Sequence, residues 1–513
     1  MICGEKKRMS VPEWYLRKIL TAQIYDVAKE TPLEEATTLS KRLNNRILLK
    51  REDLQSVFSF KLRGAYNKMS SLSEAEMKKG VVAASAGNHA QGVALAARKL
   101  GIKATIFMPE TTPGIKIDAV RSYGAITKLV GDSYDDAYQA ASDYCKGKGA
   151  VFIHPYDDPD VIAGQGTIGF EILKQHESLP DMIFVPVGGG GLIAGIAVYV
   201  KTLCPNIRII GVEPEDADAM KRSLEAGRRV RLKEVGIFAD GVAVKQVGKE
   251  TFKLARDFVD EVITVSNDQI CAAIKDIFED TRTITEPAGA LAVAGIKKYV
   301  AEHNLKGLDL VAIDSGANMN FDRLRHVAER AEIGERREGI IAVTIPERPG
   351  SFRAFCSILG KRGITEFNYR YSSADKAHVF VGLQVQDPGE LVELLGKLRS
   401  KGYQAIDMTD NEMAKTHMRH LVGGHAGQAD NERVFRFRFP ERPGALLGFL
   451  SKMGKTWNIS LFHYRNHGAD FGRVLVGMQV PPKEKKAFQS FLKDLGYSYV
   501  EESDNPAYKL FLG

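Results

Sequence analysis

The sequence predicts an α/β protein, built of open, mostly parallel sheets with helices on both faces and followed by two α+β modules of the ferredoxin-like kind. Three observations point there. From about residue 20 to 330, short and nearly continuous apolar runs alternate with helical stretches. Beyond residue 339 the chain repeats itself. At 513 residues it is too long for one core, and chains of that length divide into about two to four domains.

In the first part, Gly80–Ser85 reads as a strand and Ala90–Gly101 as the helix after it. Then come a strand over Lys103–Pro109, a helix over Gly114–Gly124 and a strand over Ala125–Gly131. Asp181–Val187, Arg208–Pro214 and Leu308–Asp314 are further apolar runs of the kind buried on both faces of a parallel sheet. Residues 331–338 are charged and read as a linker between a catalytic part, 1–330, and two modules at 339–410 and 433–513. Glu-Arg-Pro-Gly recurs from 347 to 441, Phe-x-Tyr-Arg from 367 to 462, and Val-x-Val-Gly-x-Gln-Val from 379 to 474. So dense a recurrence means one unit used twice. Each copy reads strand, helix, strand, strand, helix, strand. A pair of such sheets offers open helix N-termini, suited to an amino acid's carboxylate.

Composition excludes several classes. No run of about 18 apolar residues is present, so no membrane span is expected. The first 20 residues lack an apolar stretch before a small-residue cleavage site, and the expectation is a cytoplasmic protein. Five cysteines, Cys3, Cys145, Cys204, Cys271 and Cys356, are scattered and never form CxxC, against a disulfide frame or a metal site. The formal charge of +7 is spread among acids, with Lys41–Arg46 and Gly227–Lys233 the densest basic stretches. That reads as solvated surface rather than a nucleic-acid face.

Four motifs carry the chemistry. Ser59–Tyr66 sets Lys61 in an apolar-aromatic stretch at a helix start, where desolvation makes an amine nucleophilic and able to form a Schiff base. Most lysines are surface groups, so this motif gains meaning only beside the others. Ser85–Gly92 turns from strand into helix, with small residues that admit a ligand, Asn88 as a donor, and His89 as a structural or catalytic group. Gly188, Gly189, Gly190 and Gly191, followed by Leu192, expose N–H groups suited to a phosphate. This loop also fits a loose dinucleotide pattern, with Ala194 as its last small residue and Glu213 about 20 residues on. That alternative leaves Lys61 and the asparagine loop unexplained. Finally, Asp314-Ser315 ends the last sheet strand, and their side chains must point to opposite faces.

With these motifs in order, the chain resembles the biosynthetic threonine dehydratases (threonine ammonia-lyases), which have the type II fold of pyridoxal-phosphate (PLP) enzymes related to tryptophan synthase β. The likeness runs over nearly the whole chain, and SFKLRGAY, SAGNHAQG and GGGGL are its most specific parts. It implies that Lys61 carries the cofactor as a Schiff base, that Asn88 contacts its phenolic oxygen, and that Gly188 through Leu192 hold its phosphate. Ser315 would meet its pyridine nitrogen; an acid there, Asp314, would instead protonate it. Ser85, Ala86, Gly87, Asn88 and His89 would bind the substrate, L-threonine or secondarily L-serine, with no metal. Related racemases carry a second serine where this chain has Ala86, so dehydration rather than racemisation is implied. The doubled tail resembles ACT-like regulatory domains that bind isoleucine as inhibitor and valine as its antagonist, with Tyr369 and Tyr464 at the effector sites. Family members are commonly homotetramers.

Overall fold

The computed structural model describes residues 10–346, 351–360, 362, 364–371, 376–420, 431–440, 457, 459–465 and 471–512; the side chains at 351–353, 356, 364–371, 377, 420, 439–440, 459–465 and 471–474 lie outside that description. The chain divides into two compact units, the first ending at Phe321 and the second beginning at Asp322. No helix among the described residues is long and apolar enough to cross a membrane.

The strands of the first unit are β1 (Leu33–Glu35), β2 (Arg46–Arg51), β3 (Val81–Ala84), β4 (Ala104–Met108), β5 (Ile126–Leu129), β6 (Val151–Phe152), β7 (Met182–Pro186), β8 (Arg208–Pro214), β9 (Glu261–Val265) and β10 (Asp309–Asp314). They form a sheet of order β5-β4-β3-β6 and a larger one of order β1-β2-β10-β7-β8-β9. Every pairing is parallel except β1 with β2. Residues of β3, β4 and β7 are buried throughout, as strands covered by helices on both faces must be. The strand and helix expectations for this unit all hold to within a few residues. The helix Asn88–Leu100, for example, stops at Gly101, whose left-handed φ of 67° turns its N–H back onto the Ala97 carbonyl.

One helix, Lys61–Ser70, is gripped from two sides. A Cβ on Gly92 would lie 3.0 Å from the Leu62 nitrogen, and one on Gly164 would lie 2.7 Å from the Arg63 carbonyl oxygen. Backbones that close leave the start of this helix no room to shift.

In the second unit, β11 (Glu338–Pro346), β12 (Ile364–Tyr371), β13 (Lys376–Gln384) and β14 (Gln404–Asp407) form an antiparallel sheet of order β12-β13-β11-β14. The second copy, β15 (Glu432–Pro440), β16 (Ile459–Arg465), β17 (Phe471–Gln479) and β18 (Ser498–Glu501), has the order β16-β17-β15-β18. This is the predicted ferredoxin-like arrangement, duplicated. Pro349-Gly350, and the helix expected after Pro443-Gly444, lie outside the described residues. The charged stretch 331–338 is not a loose linker. The helix Arg323–Gly334 runs through half of it, and β11 has begun by Glu338. Arg330 is buried there, donating to both oxygens of Glu412 and to Thr416 Oγ1.

Alternation along β11 sends Ile341, Val343 and Ile345 to one face, against Phe355, Leu394 and Leu398 of its own helices. Ile340 and Ala342 face the other way, into a core shared with Val434 and Leu475 of the second copy. Phe511, from the last helix, packs on Phe380 of the first copy with ring centroids 5.5 Å apart. The copies match in detail: Ile340 N–H donates to Thr409 Oγ1 and Val434 N–H to Ser503 Oγ, each at 3.0 Å. Their equivalent helix caps, Asn411 and Asn505, touch each other at 3.3 Å.

Candidate active site

Ligands in open α/β sheets bind beyond the carboxyl ends of the strands, and here three such ends converge. β3 leads into the Asn88 loop, β7 into the glycine loop, and β10 into Ser315. Between them lies a cleft with Lys61, Asn88, Gly188–Leu192 and Ser315 in its lining.

Lys61 is the first residue of its helix and lies in the cleft. Its side chain is half-buried in the cleft wall, and this desolvation lowers its pKa to about 8 against the opposing pull of Glu286. An ammonium pays heavily for leaving water, so a usable share of this amine is neutral near pH 7.

The glycine loop could hold no other residue type. A Cβ on Gly188 would lie 2.8 Å from Val242 Cα, and one on Gly189 would lie 2.2 Å from the ring of Tyr156. Gly190 has φ 93°, and its Cβ would meet Met220 at 2.5 Å. The bare backbone therefore opens the helix Gly191–Leu203 with its N–H groups toward the cleft, an anion cradle. Thr251 Oγ1 donates to the Gly189 carbonyl at 2.7 Å. Asp157, next to Tyr156, accepts the N–H groups of Lys249 and Glu250 at 2.8 Å each, so cradle, aromatic ring and supporting helix are tied together.

Asn88 is fixed on both sides. Its Nδ2 donates to Glu286 Oε1 at 2.6 Å, and its Oδ1 accepts from Asn318 Nδ2 at 2.7 Å. An amide has two N–H bonds, which leaves Asn88 one to offer a ligand. From the rest of its loop, Ser85 Oγ accepts the Gly87 N–H at 3.3 Å, and Ala86 stands between them without a polar side chain. His89 faces away from the cleft. Its Nε2 donates to the Ile153 carbonyl at 2.8 Å, and burial lowers its pKa to about 3, which makes it a neutral structural ring rather than a substrate contact.

Ser315 reaches the cleft, with its hydroxyl donating to the Ala288 carbonyl at 3.3 Å. Asp314 points the other way, with its Oδ1 2.6 Å from Thr285 Oγ1. Glu213 accepts the N–H groups of Met220 and Lys221 at 2.8 and 2.9 Å, a buried cap for the helix Ala219–Glu225. That structural use leaves it no part in a dinucleotide site. Among the described residues no group of three or more acids, histidines or cysteines could hold a metal ion.

Sequence reasoning missed Tyr156, Gln165, Gly241 and Glu286, all of which line the cleft, and Asn318 behind Asn88. Glu286-Pro287 at a helix start was a legible signal, Pro being favoured at the first helical position. In the second unit, Tyr369 pairs with Val379 across β12 and β13, and Tyr464 with Val474 across β16 and β17. Their side chains lie outside the described residues.

Comparison with known proteins agrees with this architecture. Residues 24–316 match the family described as pyridoxal-phosphate dependent enzyme. Residues 329–418 and 423–512 each match the C-terminal regulatory domain of threonine dehydratase. The biosynthetic L-threonine dehydratase of Burkholderia multivorans is 57% identical over 501 residues, covering 97% of this chain and 99% of that protein. The Escherichia coli protein of the same description is 52% identical over 499 residues, covering 97% of each. Among solved structures, the processed form of threonine deaminase isoform 2 from Solanum lycopersicum superposes with a TM-score of 0.62 and 51% identity, over 64% of this chain and 94% of that one. The chain belongs to the pyridoxal-phosphate-dependent enzymes and, within them, to the biosynthetic threonine dehydratases with a duplicated C-terminal regulatory domain.

Proposed function

We propose that the chain converts L-threonine to 2-oxobutanoate and ammonia in this cleft, the entry step to isoleucine, with Lys61 as its one indispensable side chain. The observation that carries the reading is a partly desolvated, weakly basic lysine in the same cleft as a four-glycine anion cradle. The residues fit pyridoxal phosphate end to end. The N–H groups of Gly188 through Leu192 would take the phosphate and Lys61 Nζ the carbonyl carbon. The spare N–H of Asn88 would meet the ring oxygen, and the Ser315 hydroxyl the ring nitrogen. A hydroxyl, unlike an acid, leaves that nitrogen neutral.

When bound, pyridoxal phosphate supplies the electron sink that labilises the substrate's Cα–H bond. The chain supplies the rest. Ser85 and the backbone of Ala86, Gly87 and Asn88 would hold the substrate carboxylate at a helix start. Lys61 Nζ, displaced by the substrate amine, is the base for the Cα proton. Loss of the β-hydroxyl as water, then hydrolysis, gives 2-oxobutanoate and ammonia. L-serine, one methyl smaller, is the expected secondary substrate.

The doubled regulatory domain supports feedback control. In this reading isoleucine favours a low-activity state and valine opposes it, with a coupling of about 1–3 kcal/mol in a homotetramer. Cys145 and Cys204 are free thiols, in keeping with a cytoplasmic setting.

The deciding assay is 2-oxobutanoate release from L-threonine by the PLP-loaded protein, with and without isoleucine. Activity that isoleucine suppresses is expected; a yellow protein inert toward threonine would overturn the substrate. Tyr369→Phe and Tyr464→Phe should each weaken the inhibition, and inhibition unchanged in both would remove these tyrosines from the effector sites. Gly189→Ala forces a methyl into the Tyr156 ring. Overpacking of that kind costs about 1–3 kcal/mol, so PLP retention, followed by its visible absorbance in dialysis, should weaken about 10- to 100-fold.

A further inference from the structure

Asp314 ends β10 on the face opposite Ser315, and its carboxyl is fully buried. Oδ1 lies 2.6 Å from Thr285 Oγ1, and that same hydroxyl lies 2.6 Å from the Gly316 carbonyl oxygen. A hydroxyl has one proton to donate. If Asp314 were ionised, both neighbours would be acceptors competing for it. The two contacts are satisfied together only when a second proton is present, and a peptide carbonyl carries none.

The surroundings agree. Oδ2 has no hydrogen-bond partner. The nearest cation, Arg51 Nε, is 4.0 Å away. Its guanidinium is already balanced: Nε and Nη2 donate to the two oxygens of Asp53 at 2.9 and 2.8 Å, and Nη1 donates to Glu34 at 2.6 Å. Burial, then the negative charge of Asp53, push the Asp314 pKa well above the usual carboxylate range. Glu286 adds to this, and Thr285 and Arg51 oppose it without prevailing.

We propose that Asp314 works as a neutral carboxylic acid and is a positioning residue of the cleft. Its proton goes to Thr285 Oγ1, which is thereby free to donate to the Gly316 carbonyl and staple the end of β10 to the turn Thr285–Glu286. The staple sets two groups of the cleft at once. Glu286 N–H donates to the same Gly316 carbonyl at 3.0 Å, so the turn that aims the Glu286 carboxylate at Asn88 is held twice. Ser315, between the stapled residues, is held with its hydroxyl in the cleft. An ionised Asp314 would draw the Thr285 proton to itself, release Gly316, and add a third negative charge beside Asp53 and Glu286.

The activity arm of the test rests on the coenzyme reading above; the other two arms do not. Asp314→Asn keeps a neutral donor, whereas Asp314→Leu has none. In the full-length PLP enzyme, Asp314→Leu should lower kcat about 10- to 100-fold, the scale of a small misplacement, and Asp314→Asn should restore it to within about threefold of the parent. The infrared difference between parent and Asp314→Asn at neutral pH should contain the stretch of a protonated carboxyl. An acid whose folded pKa exceeds its unfolded one stabilises the fold fully only below the unfolded value and loses that stability as pH rises through the folded one. Asparagine has no such loss, so the melting temperature of Asp314→Asn relative to the parent should rise from about pH 4 to about pH 8. A missing carboxyl band, or a relative melting temperature that does not change with pH, overturns the neutral acid. Equal kcat for the asparagine and leucine variants overturns the positioning role. Failure of all three proteins on threonine, the parent included, with the infrared and melting results as expected, would refute the substrate reading and leave the neutral acid standing.

Discussion

Replacing Lys61 by alanine or methionine is expected to cut 2-oxobutanoate release by about 10³-fold or more, since in the proposed function one amine both holds the coenzyme and takes the Cα proton. Lys61→Arg should be equally inactive. It keeps the charge, but a guanidinium is not deprotonated in proteins, so that variant separates loss of a nucleophile from loss of a cation. Activity above about a tenth of the parent in any of the three would remove Lys61 from the mechanism. The pKa near 8 adds a second readout. Capture of PLP by the apoprotein should quicken as pH rises through about 8, where the neutral amine takes over, and level off above it. The shift also states a cost. A lysine whose folded pKa lies below the unfolded value of 10.5 destabilises the fold at neutral pH. At about 1.4 kcal/mol per pH unit, the penalty is on the order of 3 kcal/mol. The Lys61→Met apoprotein should therefore melt above the parent apoprotein at pH 7. Inactive and more stable is the signature of a residue kept for chemistry.

Arg63→Met should have the opposite character, a large loss of stability from a residue that touches no ligand. Arg63 is wholly buried, two positions beyond Lys61, and all of its donors are engaged. It meets Glu52 at 2.7 and 2.8 Å, Glu171 at 2.6 and 2.9 Å, Thr167 Oγ1 at 3.1 Å and the Lys29 carbonyl at 3.1 Å. Burial alone would push its pKa down, yet the two carboxylates hold it above the usual value. Removing the guanidinium leaves the Glu52 charge with only the neutral donors Thr31 and Gln55, while Glu171 keeps Lys50 at 2.6 Å. Breaking one side of such a buried network costs about 3–5 kcal/mol, to be read as a lower urea midpoint of the first unit. Adding Glu52→Gln to Arg63→Met should recover part of that loss, because the stranded charge is gone. If the double variant is no more stable than the single one, the loss comes from packing and the charge account fails.

Much of this was legible in the sequence because its signals are local. A parallel strand buried on both faces announces itself by five or six apolar residues, as β4, β7 and β10 did. The duplication was visible because two copies hold Pro-Gly, Phe-x-Tyr-Arg and a β-strand signature at nearly constant spacing. Lys61, Asn88 and the glycine run sit in motifs whose small residues mark close backbone approach. What stayed hidden depends on partners far along the chain. Glu286 meets Asn88 across 198 residues, and no pattern near either names the other. Strand alternation told us that Asp314 and Ser315 diverge. Which one faces the cleft follows from the register that sets Asp314 beside Arg51 on β2. The sequence left His89 open as a structural or catalytic group, and its burial beside the Ile153 carbonyl favours the structural one. The charged stretch 331–338 misled for a related reason: Arg330 just before it, and Glu338 at its end, are buried with partners from residues 412–419.

The contact between Asn411 and Asn505 says something about how the regulatory half is built. Equivalent residues meet their own counterparts only beside a two-fold axis, so the duplicated modules form a dimer within one polypeptide. Such a dimer has no dissociation constant; the pairing holds at any protein concentration. Neither half can be discarded, because Ile340 and Phe380 on one side, and Val434 and Leu475 on the other, would be bared to water. Being written separately, the two halves are free to diverge in sequence, as the Phe367-Asn368-Tyr369 and Phe462-His463-Tyr464 copies already have. A symmetric homodimer could not do this, since every change in it is made twice.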